Sequence, residues 1–364
     1  MRICFVGPSN SAHIQKWCRW FAAQGYEVHV VSFSDQPVEG TKLHYIDAGV
    51  DPNGSDLGKL KYLLTGNKIR KAIRSIQQDI VNVHYATSYG VAVALSGLRN
   101  YILSVWGADI YDFPKKSILH KLLLEFSLKR ATQLFSTSQA MANEASEYTD
   151  KPFKITPFGV DTELFSPKKR TRRNDDAQFI VGTVKALSDK YGIRNILEAA
   201  AELREKKEIP IVLRIAGKGP QEKEYHELAK KLGISDITSW LGFISQEAAA
   251  VEWANMDVAV VPSTLESESF GVSAVEAQAC GTAVIISDIP GLMEATSPGK
   301  TSLVIPRNDS YALASALEKL YDFPEMRKEL GKAGRQYVVN RYEINCCFKN
   351  IELLFIEFKN RTKG

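Results

Sequence analysis

The segment VPSTLESESFGVSAVEAQACGTAVII at residues 261–286 is the most informative part of the chain for its fold class. It starts at the end of a short apolar run and passes through a polar loop at 263–269. Phe270 and Gly271 then open a helical stretch, which leads into a second apolar run at 283–287. This order predicts a strand, a loop, a helix and another strand. Because a helix joins the two strands, we expect them to lie parallel in one sheet.

The first half of the chain shows the same alternation. An apolar run at 3–6 is followed by the polar loop GPSNS at 7–11 and by a helical pattern that ends at Gly25. Further strands are expected at 26–33, 80–83, 101–105 and 134–138, with helical segments such as 59–76 between them. Alternating strands and helices are typical of a parallel sheet covered by helices on both faces.

The pattern restarts after the charged segment SPKKRTRRNDD at 166–176, which we interpret as a solvated linker. Its basic residues would also suit a nucleic-acid or lipid patch. Second-half strands are expected at 179–184, 211–216, 258–261, 283–287 and 303–305, and helices at 195–206, 225–232, 311–321 and 325–338. A chain of 364 residues exceeds one ordinary core. We therefore predict an α/β fold of two Rossmann-like doubly wound domains facing a central cleft, spanning 1–165 and 166–341.

Composition excludes several classes of protein. The 46 Lys and Arg residues against 42 Asp and Glu give a net charge of +4, too mild for a dedicated nucleic-acid binder but suited to acidic small molecules. The five cysteines form no CxxC pair, which favours reduced thiols over disulfides or a zinc site. No apolar stretch reaches about 18 residues, and the run at 3–6 is too short for a signal peptide. We expect a cytoplasmic protein without a membrane span.

Two carboxylates lie around the predicted helix start. Glu268 is in the loop and Glu276 is in the helix, roughly 12 Å further along if each residue rises 1.5 Å. They are therefore too far apart to share a proton, and we expect two contacts on an extended ligand, a ribose at Glu276 and a sugar at Glu268. Helix-start amides at 269–272 should bind phosphate or a polar sugar edge. The helix dipole alone also favours acidic residues here, so a structural role stays open.

The same stretch resembles the donor-site signature of family 4 glycosyltransferases, a retaining GT-B family. The matching residues are Pro262-Ser263, Glu268, Phe270-Gly271, Glu276-Ala277 and Gly281. The resemblance covers nearly the whole chain, including PFGVD at 157–161, which is similar to the family's lead into the hinge. It implies the GT-B fold, with a last helix at about 342–364 that crosses back onto the first domain.

The resemblance also implies roles for residues of the second domain. Glu276 would bind the donor ribose, and Glu268 the transferred sugar. Donor contacts would come from backbone amides of the four residues Ser269, Phe270, Gly271 and Val272. The family's lysine corresponds to Lys190, which with Glu268 we expect to be catalytic.

Three further points complete the predicted donor site. Lys185 stands where the family places an arginine, and a lysine offers the diphosphate a point charge instead of a two-pronged contact. Without the resemblance, Lys185 and Lys190 would be ordinary surface lysines. Gly217, in the turn GKGP at 217–220, should shape the nucleotide pocket.

Candidate acceptor residues come from strand ends of the first domain. They are Gly7, Ser11, His13, His84, Trp106 and Asp109. The family usually has a glycine-rich loop where this chain has only Gly7. The segment SVWGAD at 104–109 resembles the family's His-Gly-x-Asp but carries Trp106 in place of the histidine. Trp106 could stack on a sugar and Asp109 could bind an acceptor hydroxyl, whereas a surface, capping or core role is the alternative for these residues.

The resemblance implies, as the expected function, retaining transfer of a hexose or N-acetylhexosamine from a nucleotide sugar. A UDP-sugar is the first expectation and GDP-mannose the second. The acceptor would be a lipid-linked saccharide or another glycan in cell-surface polysaccharide biosynthesis. The family needs no metal, the sequence has no Asp-x-Asp motif, and no cofactor beyond the nucleotide sugar is expected. Nucleic acid is not an expected partner.

Alternatives to transfer remain open. A nucleotide-sugar 2-epimerase would share the GT-B fold, and a non-catalytic sugar-nucleotide-binding module would share the site. A dinucleotide-dependent oxidoreductase would need GxGxxG after the first strand, which GPSNSA at 7–12 lacks.

Residues 115–130 alternate basic and apolar side chains in a pattern that suits an anionic lipid surface. We expect peripheral contact with the inner face of the plasma membrane there. Packing of the apolar side chains onto the sheet is the alternative.

Overall fold

A computed structural model describes residues 1–49, 60–172, 178–207 and 209–363. The chain divides into two compact units. The first comprises Met1–Phe158 with Cys347–Gly364, and the second Gly159–Cys346. Each unit holds one parallel sheet whose strands alternate with helices along the chain. The predicted pair of Rossmann-like α/β domains is confirmed.

The first sheet has the strand order β3-β2-β1-β4-β5-β6-β7, and all its described neighbours pair in parallel. Its strands are β1 (Arg2–Val6), β2 (Glu27–Ser32), β3 (Lys42–Tyr45), β4 (Ile80–His84), β5 (Ile102–Val105), β6 (Gln133–Ser136) and β7 (Phe153–Ile155). The expected strands match β1, β2, β4, β5 and β6. The edge strands β3 and β7 were not predicted, because each is only three or four residues long and has little burial to mark it.

The second sheet has the order β10-β9-β8-β11-β12-β13 and is also parallel. Its strands are β8 (Phe179–Val184), β9 (Ile211–Ala216), β10 (Thr238–Gly242), β11 (Val258–Val261), β12 (Ala283–Ser287) and β13 (Ser302–Ile305). The strand order reverses direction between β8 and β11. In open parallel sheets ligands bind beyond the carboxyl ends of the strands at such a point.

Helices connect the strands in both units. Those described in the first unit are α1 (Ala12–Ala23), α2 (Gly66–Ile76), α3 (Ser88–Leu95), α4 (Gly107–Tyr111), α5 (Ile118–Arg130) and α6 (Gln139–Ala145). Those described in the second are α7 (Ile193–Lys207), α8 (Glu222–Lys231), α9 (Gln246–Asn255), α10 (Val272–Ala279), α11 (Pro290–Ala295), α12 (Ser310–Asp322) and α13 (Pro324–Tyr342). The helix expected at 59–76 is a 3₁₀ helix at Leu60–Thr65 followed by α2, and residue 59 lies outside the described residues. No described helix combines the length and apolar composition that crossing a membrane requires.

The last helix, α14 (Ile344–Lys363), returns the end of the chain to the first unit, as predicted. Phe348 and Phe355 on its apolar face are fully buried. The ring of Phe348 lies 5.5 Å from that of Trp17, and the ring of Phe355 lies 5.3 Å from that of Phe21. Each buried phenylalanine contributes about 1.5–3 kcal/mol. The segment therefore completes the core of the first unit.

The predicted linker is only partly solvated. Residues 173–176 of it lie outside the described residues, but residues 170–172 bond to other residues of the second unit, to which they belong. The backbone amide of Thr171 donates to Asn255, and an Nη of Arg172 lies 2.5 Å from a carboxylate oxygen of Asp257. Both side chains of this ion pair are nearly buried. The polar composition of this segment suggested that it is exposed to solvent. Its bonding partners could not be seen from the local sequence, because they lie more than 80 residues further along the chain.

Candidate functional site

The loops after β8 and β11 meet at the reversal point of the second sheet. These strands are neighbours, with Val181 paired to Val258. The loop at 185–192 follows β8, and the loop at 262–271 follows β11. Because both strands are parallel, their carboxyl ends lie at the same edge. Four predicted donor-site positions, Lys185, Lys190, Glu268 and Gly271, are thereby brought to one place.

An ion pair connects the two loops. Nζ of Lys185 donates to Oε2 of Glu268 at 2.7 Å. The side chains are only 11% and 9% exposed, so little water screens their charges. Nζ of Lys185 also lies 4.6 Å from the ring centroid of Tyr191, a cation–π contact. Protein contacts therefore orient the two charges that we predicted to contact the donor.

Backbone contacts hold the loop that carries Lys190. The amide and hydroxyl of Thr264 both donate to the carbonyl oxygen of Lys190, at 2.8 and 3.2 Å. Gly192 has a φ of 66°, and a Cβ there would lie 2.0 Å from the carbonyl oxygen of Pro262. Only glycine fits this contact. The position of the Lys190 backbone is thus set by the neighbouring strand's loop.

Gly217 lies at the end of β9, where the turn crosses the β8 loop. A Cβ on Gly217 would lie 1.8 Å from the carbonyl oxygen of Lys185. One on Gly219 would lie 2.1 Å from the carbonyl oxygen of Leu187. The glycines therefore let this turn lie directly against the backbone that carries Lys185. The role of Gly217 in shaping the nucleotide pocket stays a prediction.

The helix α10 begins two residues later than the sequence suggested. Gly271 is its N-cap, in the left-handed conformation with φ 72° and ψ 47°, and Val272 is its first residue. A Cβ on Gly271 would also meet Leu292 at 2.6 Å. The hydroxyl of Ser273 donates to the carbonyl oxygen of Val184 at the end of β8. Amides in the first turn of a helix have no partner within the helix, so they can bind an anion at this edge.

Glu276 lies in the second turn of α10 and is half-buried. Nε1 of Trp253, on α9, lies 3.4 Å from its Oε2. The indole lies under α10 and is fully buried. This contact orients the carboxylate from below. The predicted positions Ser269 and Phe270 precede the N-cap, and Phe270 is buried with its ring 5.4 Å from that of Tyr342.

In the first unit, an aromatic cluster collects several predicted acceptor residues. The ring of His13 stacks on Phe158 with centroids 4.0 Å apart. Trp106 lies edge-on to His13 at 5.3 Å and to His84 at 5.6 Å. Its other ring neighbours are Tyr85, at 4.3 Å, and Phe158, at 5.5 Å. Trp106 is 7% exposed, so most of its surface is already covered by these rings.

His84 is fully enclosed, between the rings of Phe5 and Trp17 as well as Trp106. Among the described residues neither of its ring nitrogens has a hydrogen-bond partner. Burial lowers the pKa of His84 to about 3, and the charge of His13 acts in the same direction. The imidazole is therefore neutral at physiological pH, and in this conformation a solute does not reach it.

Asp109 is buried beneath the loops that follow β4 and β5. One carboxylate oxygen accepts from the amides of Ala86 and Trp106, at 2.8 and 3.1 Å, and the other from the hydroxyl of Thr87 at 2.9 Å. Burial raises the pKa of Asp109 to about 6, and these hydrogen bonds limit the rise. The carboxylate therefore connects the loop that follows β4 to the loop that follows β5. A role for Asp109 in binding the acceptor stays a prediction.

Gly7 and Ser11 border the loop after β1. The amide of Gly7 donates to the carbonyl oxygen of Val31, and a Cβ on Gly7 would lie 3.0 Å from Ile14. Ser11 is the N-cap of α1; its amide donates to the carbonyl oxygen of Pro8 at 3.0 Å, and its own carbonyl oxygen accepts from the amide of Gln15 at 3.0 Å. The loop after β1 is therefore anchored at both ends.

Sequence reasoning missed three side chains that shape the donor edge. Tyr191 carries the cation–π contact, Trp253 contacts Glu276, and Thr264 holds the Lys190 loop. Tyr191 is adjacent to Lys190 and could have been found from the segment KYG at 190–192. Trp253 gives no sequence signal, because its contact depends on how α9 packs. Within the described residues no group of three His, Cys, Asp or Glu side chains is arranged to hold a metal ion.

Comparison with known proteins shows the family. The family model described as glycosyl transferases group 1 matches residues 166–337, and the glycosyl transferase 4-like model matches residues 2–138. A D-inositol 3-phosphate glycosyltransferase of Stackebrandtia nassauensis is 30% identical over 322 residues, which is 78% of this chain and 70% of the relative. The chain belongs to the glycosyl transferases group 1 family.

Solved structures resemble this glycosyltransferase over its whole length. Sucrose-phosphate synthase of Thermosynechococcus elongatus superposes with a TM-score of 0.82 at 20% identity, covering 98% of both chains. HepE of Anabaena, in complex with UDP and glucose, gives 0.80 at 18% identity, covering 97% of this chain and 99% of HepE. At these identities the similarity concerns the fold, and it confirms the GT-B architecture.

Proposed function

We propose that this glycosyltransferase transfers a sugar from a nucleotide sugar, with a UDP-sugar as the first expected donor, and retains the anomeric configuration. The observation that carries the proposal is the enclosed pair of Lys185 and Glu268 beside the start of α10, at the reversal point of the second sheet. A cation, a carboxylate and helix-start amides together suit a diphosphate joined to a sugar. HepE, a structural neighbour, is named as a complex with UDP and glucose.

In this proposal each residue of the donor site contacts a different part of the nucleotide sugar. Glu276 accepts hydrogen bonds from the ribose hydroxyls, with Trp253 holding its carboxylate. Amides at the start of α10, with Lys185 and Lys190, neutralise the diphosphate. Glu268 accepts hydrogen bonds from hydroxyls of the transferred sugar. Glu268 therefore exchanges part of its contact with Lys185 for the donor when the site fills.

Transfer would proceed on one face of the sugar. The bond between the anomeric carbon and the diphosphate oxygen breaks, and the acceptor hydroxyl oxygen bonds to that carbon from the same side. The leaving diphosphate takes the hydroxyl proton, so no separate base is required. Cations near the diphosphate lower the barrier, because negative charge develops there as the bond breaks.

Donor binding can be tested by thermal shift with UDP, GDP and ADP and their sugars. A ligand that binds only the folded state raises the melting temperature, by an amount equivalent to about 2.7 kcal/mol at 100 times Kd. We expect a selective rise with the uridine series, and we expect Glu276→Ala to abolish it. Glu329→Ala, an exposed glutamate on α13, is the matched control and should keep the rise.

The outcomes separate the alternatives. A selective rise with guanosine ligands would replace UDP by GDP-mannose as the donor class. No rise with any nucleotide would contradict the proposed donor site. Binding without turnover would favour a non-catalytic module, and conversion of the free nucleotide sugar to its 2-epimer would favour the epimerase.

We further propose that the acceptor is a lipid-linked saccharide or other glycan in cell-surface polysaccharide biosynthesis, reached from the cytoplasmic face of the membrane. The supporting feature is α5. Its exposed apolar side chains Ile118, Leu119 and Leu122 are 72%, 55% and 53% exposed. Exposed basic residues precede and follow them along the chain at Lys115, Lys116, Lys121, Lys129 and Arg130. Exposed apolar side chains with basic residues nearby in the sequence suit an anionic bilayer surface.

Vesicle binding tests this surface. The protein should sediment with vesicles containing phosphatidylglycerol and not with pure phosphatidylcholine, because the basic residues add about 1 kcal/mol each only on an anionic surface. Leu119→Ser with Leu122→Ser should release it. The control is Leu353→Ser, which changes a leucine on α14 that is 58% exposed. Equal sedimentation of the double variant would contradict the membrane role of α5.

A further inference from the structure

A cavity of about 430 Å³ lies in the first unit, at the carboxyl ends of β1 to β4. It is lined by Pro8, Asn10, Phe33, Ser34, Asp35, Tyr45, Tyr62, Tyr85, Ser88 and Tyr89. Pro8 and Asn10 lie in the loop between the candidate acceptor residues Gly7 and Ser11, and the other lining residues lie outside the donor and acceptor positions predicted from the sequence. The volume is within the range of small-molecule sites.

One wall of the cavity is a stack of three aromatic rings. Phe33 lies between Tyr62 and Tyr89, with centroids 4.5 and 4.3 Å away and planes tilted by 23° and 21°. The hydroxyl oxygen of Tyr89 accepts from the backbone amide of Phe33 at 3.0 Å. Tyr45, at the end of the edge strand β3, is 51% exposed. These contacts hold the wall in place, while Tyr45 and Tyr62 keep part of their surface exposed.

Tyr85 contributes a second, independent feature. It has a φ of 71°, in the left-handed region that bulky residues rarely adopt. Such backbone strain costs about 1–3 kcal/mol and is concentrated at functional sites. The strained conformation places Tyr85 in the cavity lining, with its ring 4.3 Å from Trp106. The cavity thus adjoins the aromatic cluster that contains His13.

The charge of the lining restricts the ligand. None of the described lining residues is Lys, Arg or His, and Asp35 is the acidic one. A phosphate or carboxylate would meet a negative charge here and no cation to offset it. Asn10, Ser34, Asp35 and Ser88 instead offer hydrogen-bonding groups suited to hydroxyls. Aromatic faces beside such groups match a sugar ring, which has apolar C–H faces and a rim of hydroxyls.

We propose that this cavity binds an uncharged saccharide unit of the acceptor. The inference rests on the proposed glycosyl transfer and specifies its acceptor class. The reacting end of the acceptor is a neutral sugar, and any phosphate or lipid attached to it lies outside this cavity.

Saturation-transfer NMR with defined probes tests the proposal. The neutral probes are the methyl glycosides of glucose, galactose, mannose and N-acetylglucosamine, and the anionic probe is glucose 6-phosphate. At least one glycoside should receive saturation from the wild-type protein, and glucose 6-phosphate should not. Tyr62→Ala and Tyr45→Ala should each weaken the glycoside about tenfold, as expected for loss of roughly 1.4 kcal/mol of ring contact.

Two controls keep the outcomes distinct. Tyr311→Ala removes a tyrosine on α12 that is 68% exposed, and it should leave glycoside binding unchanged. Tyr45→Ala covers the case in which Tyr62→Ala fails to fold, because Tyr45 is half exposed. Stronger binding of glucose 6-phosphate, no signal from any glycoside, or full binding by Tyr45→Ala and a folded Tyr62→Ala would overturn the proposal. The nucleotide thermal shift is measured on the same proteins, so failure of the donor site is recognised separately.

Discussion

Glu268→Gln should lower kcat for glycosyl transfer about 100-fold and leave the protein folded. A hydrogen bond to a charged group contributes about 1.5–3 kcal/mol, and the neutral amide accepts more weakly from the sugar hydroxyls as the bond to the diphosphate breaks. The fold should persist because the amide oxygen can still accept from Nζ of Lys185, which lies 2.7 Å from Oε2 in the native site. Steady-state kinetics and a melting curve measure the two effects.

The same loop provides the control for this substitution. Glu266 is two residues earlier and forms an ion pair with Arg307 at 3.1 Å. Glu266→Gln makes the same chemical change without touching Lys185, and we expect less than about threefold loss of kcat, since partly exposed pairs are worth about 0–1 kcal/mol. Full turnover by Glu268→Gln would remove this residue from the proposed donor site, whatever the result at Glu266.

Lys190→Met should reduce kcat about 10²- to 10³-fold, the usual cost of removing one group that stabilises developing charge. The side chain of methionine has a similar length and no charge, so the change isolates the ammonium. Backbone geometry should survive, because Thr264 bonds to the carbonyl oxygen of Lys190 and not to its side chain. The rate of sugar transfer at saturating donor is the measurement.

A surface lysine serves as the comparison. Lys231 is the last residue of α8 and is exposed. Lys231→Met should change kcat less than twofold, because a solvated charge far from the diphosphate is screened within about 8–10 Å. An equal loss in both variants would mean that the effect at position 190 comes from net charge and not from contact with the leaving group.

Local pattern was sufficient for most elements of the fold and for the candidate donor loop. The residues from Pro262 to Gly281 could be assigned as a loop and helix because apolar spacing and glycine positions are local properties. The helix start was misplaced by two residues, since Gly271 takes the left-handed cap conformation. Short edge strands such as β3 escaped prediction because strand pairing with a neighbour, and not their own composition, defines them.

The sequence by itself determined that two parallel α/β units form and that an acidic loop precedes a helix in the second. Hydrophobic periodicity and turn residues are properties of a few neighbouring residues, so they can be recognised in the sequence alone. Only the tertiary structure decided which charges meet. Lys185 and Glu268 are 83 residues apart and pair because β8 and β11 are neighbours at the reversal of strand order. It likewise decided that His84 is enclosed and that Phe33 and Tyr62 share a cavity wall, since burial depends on long-range packing.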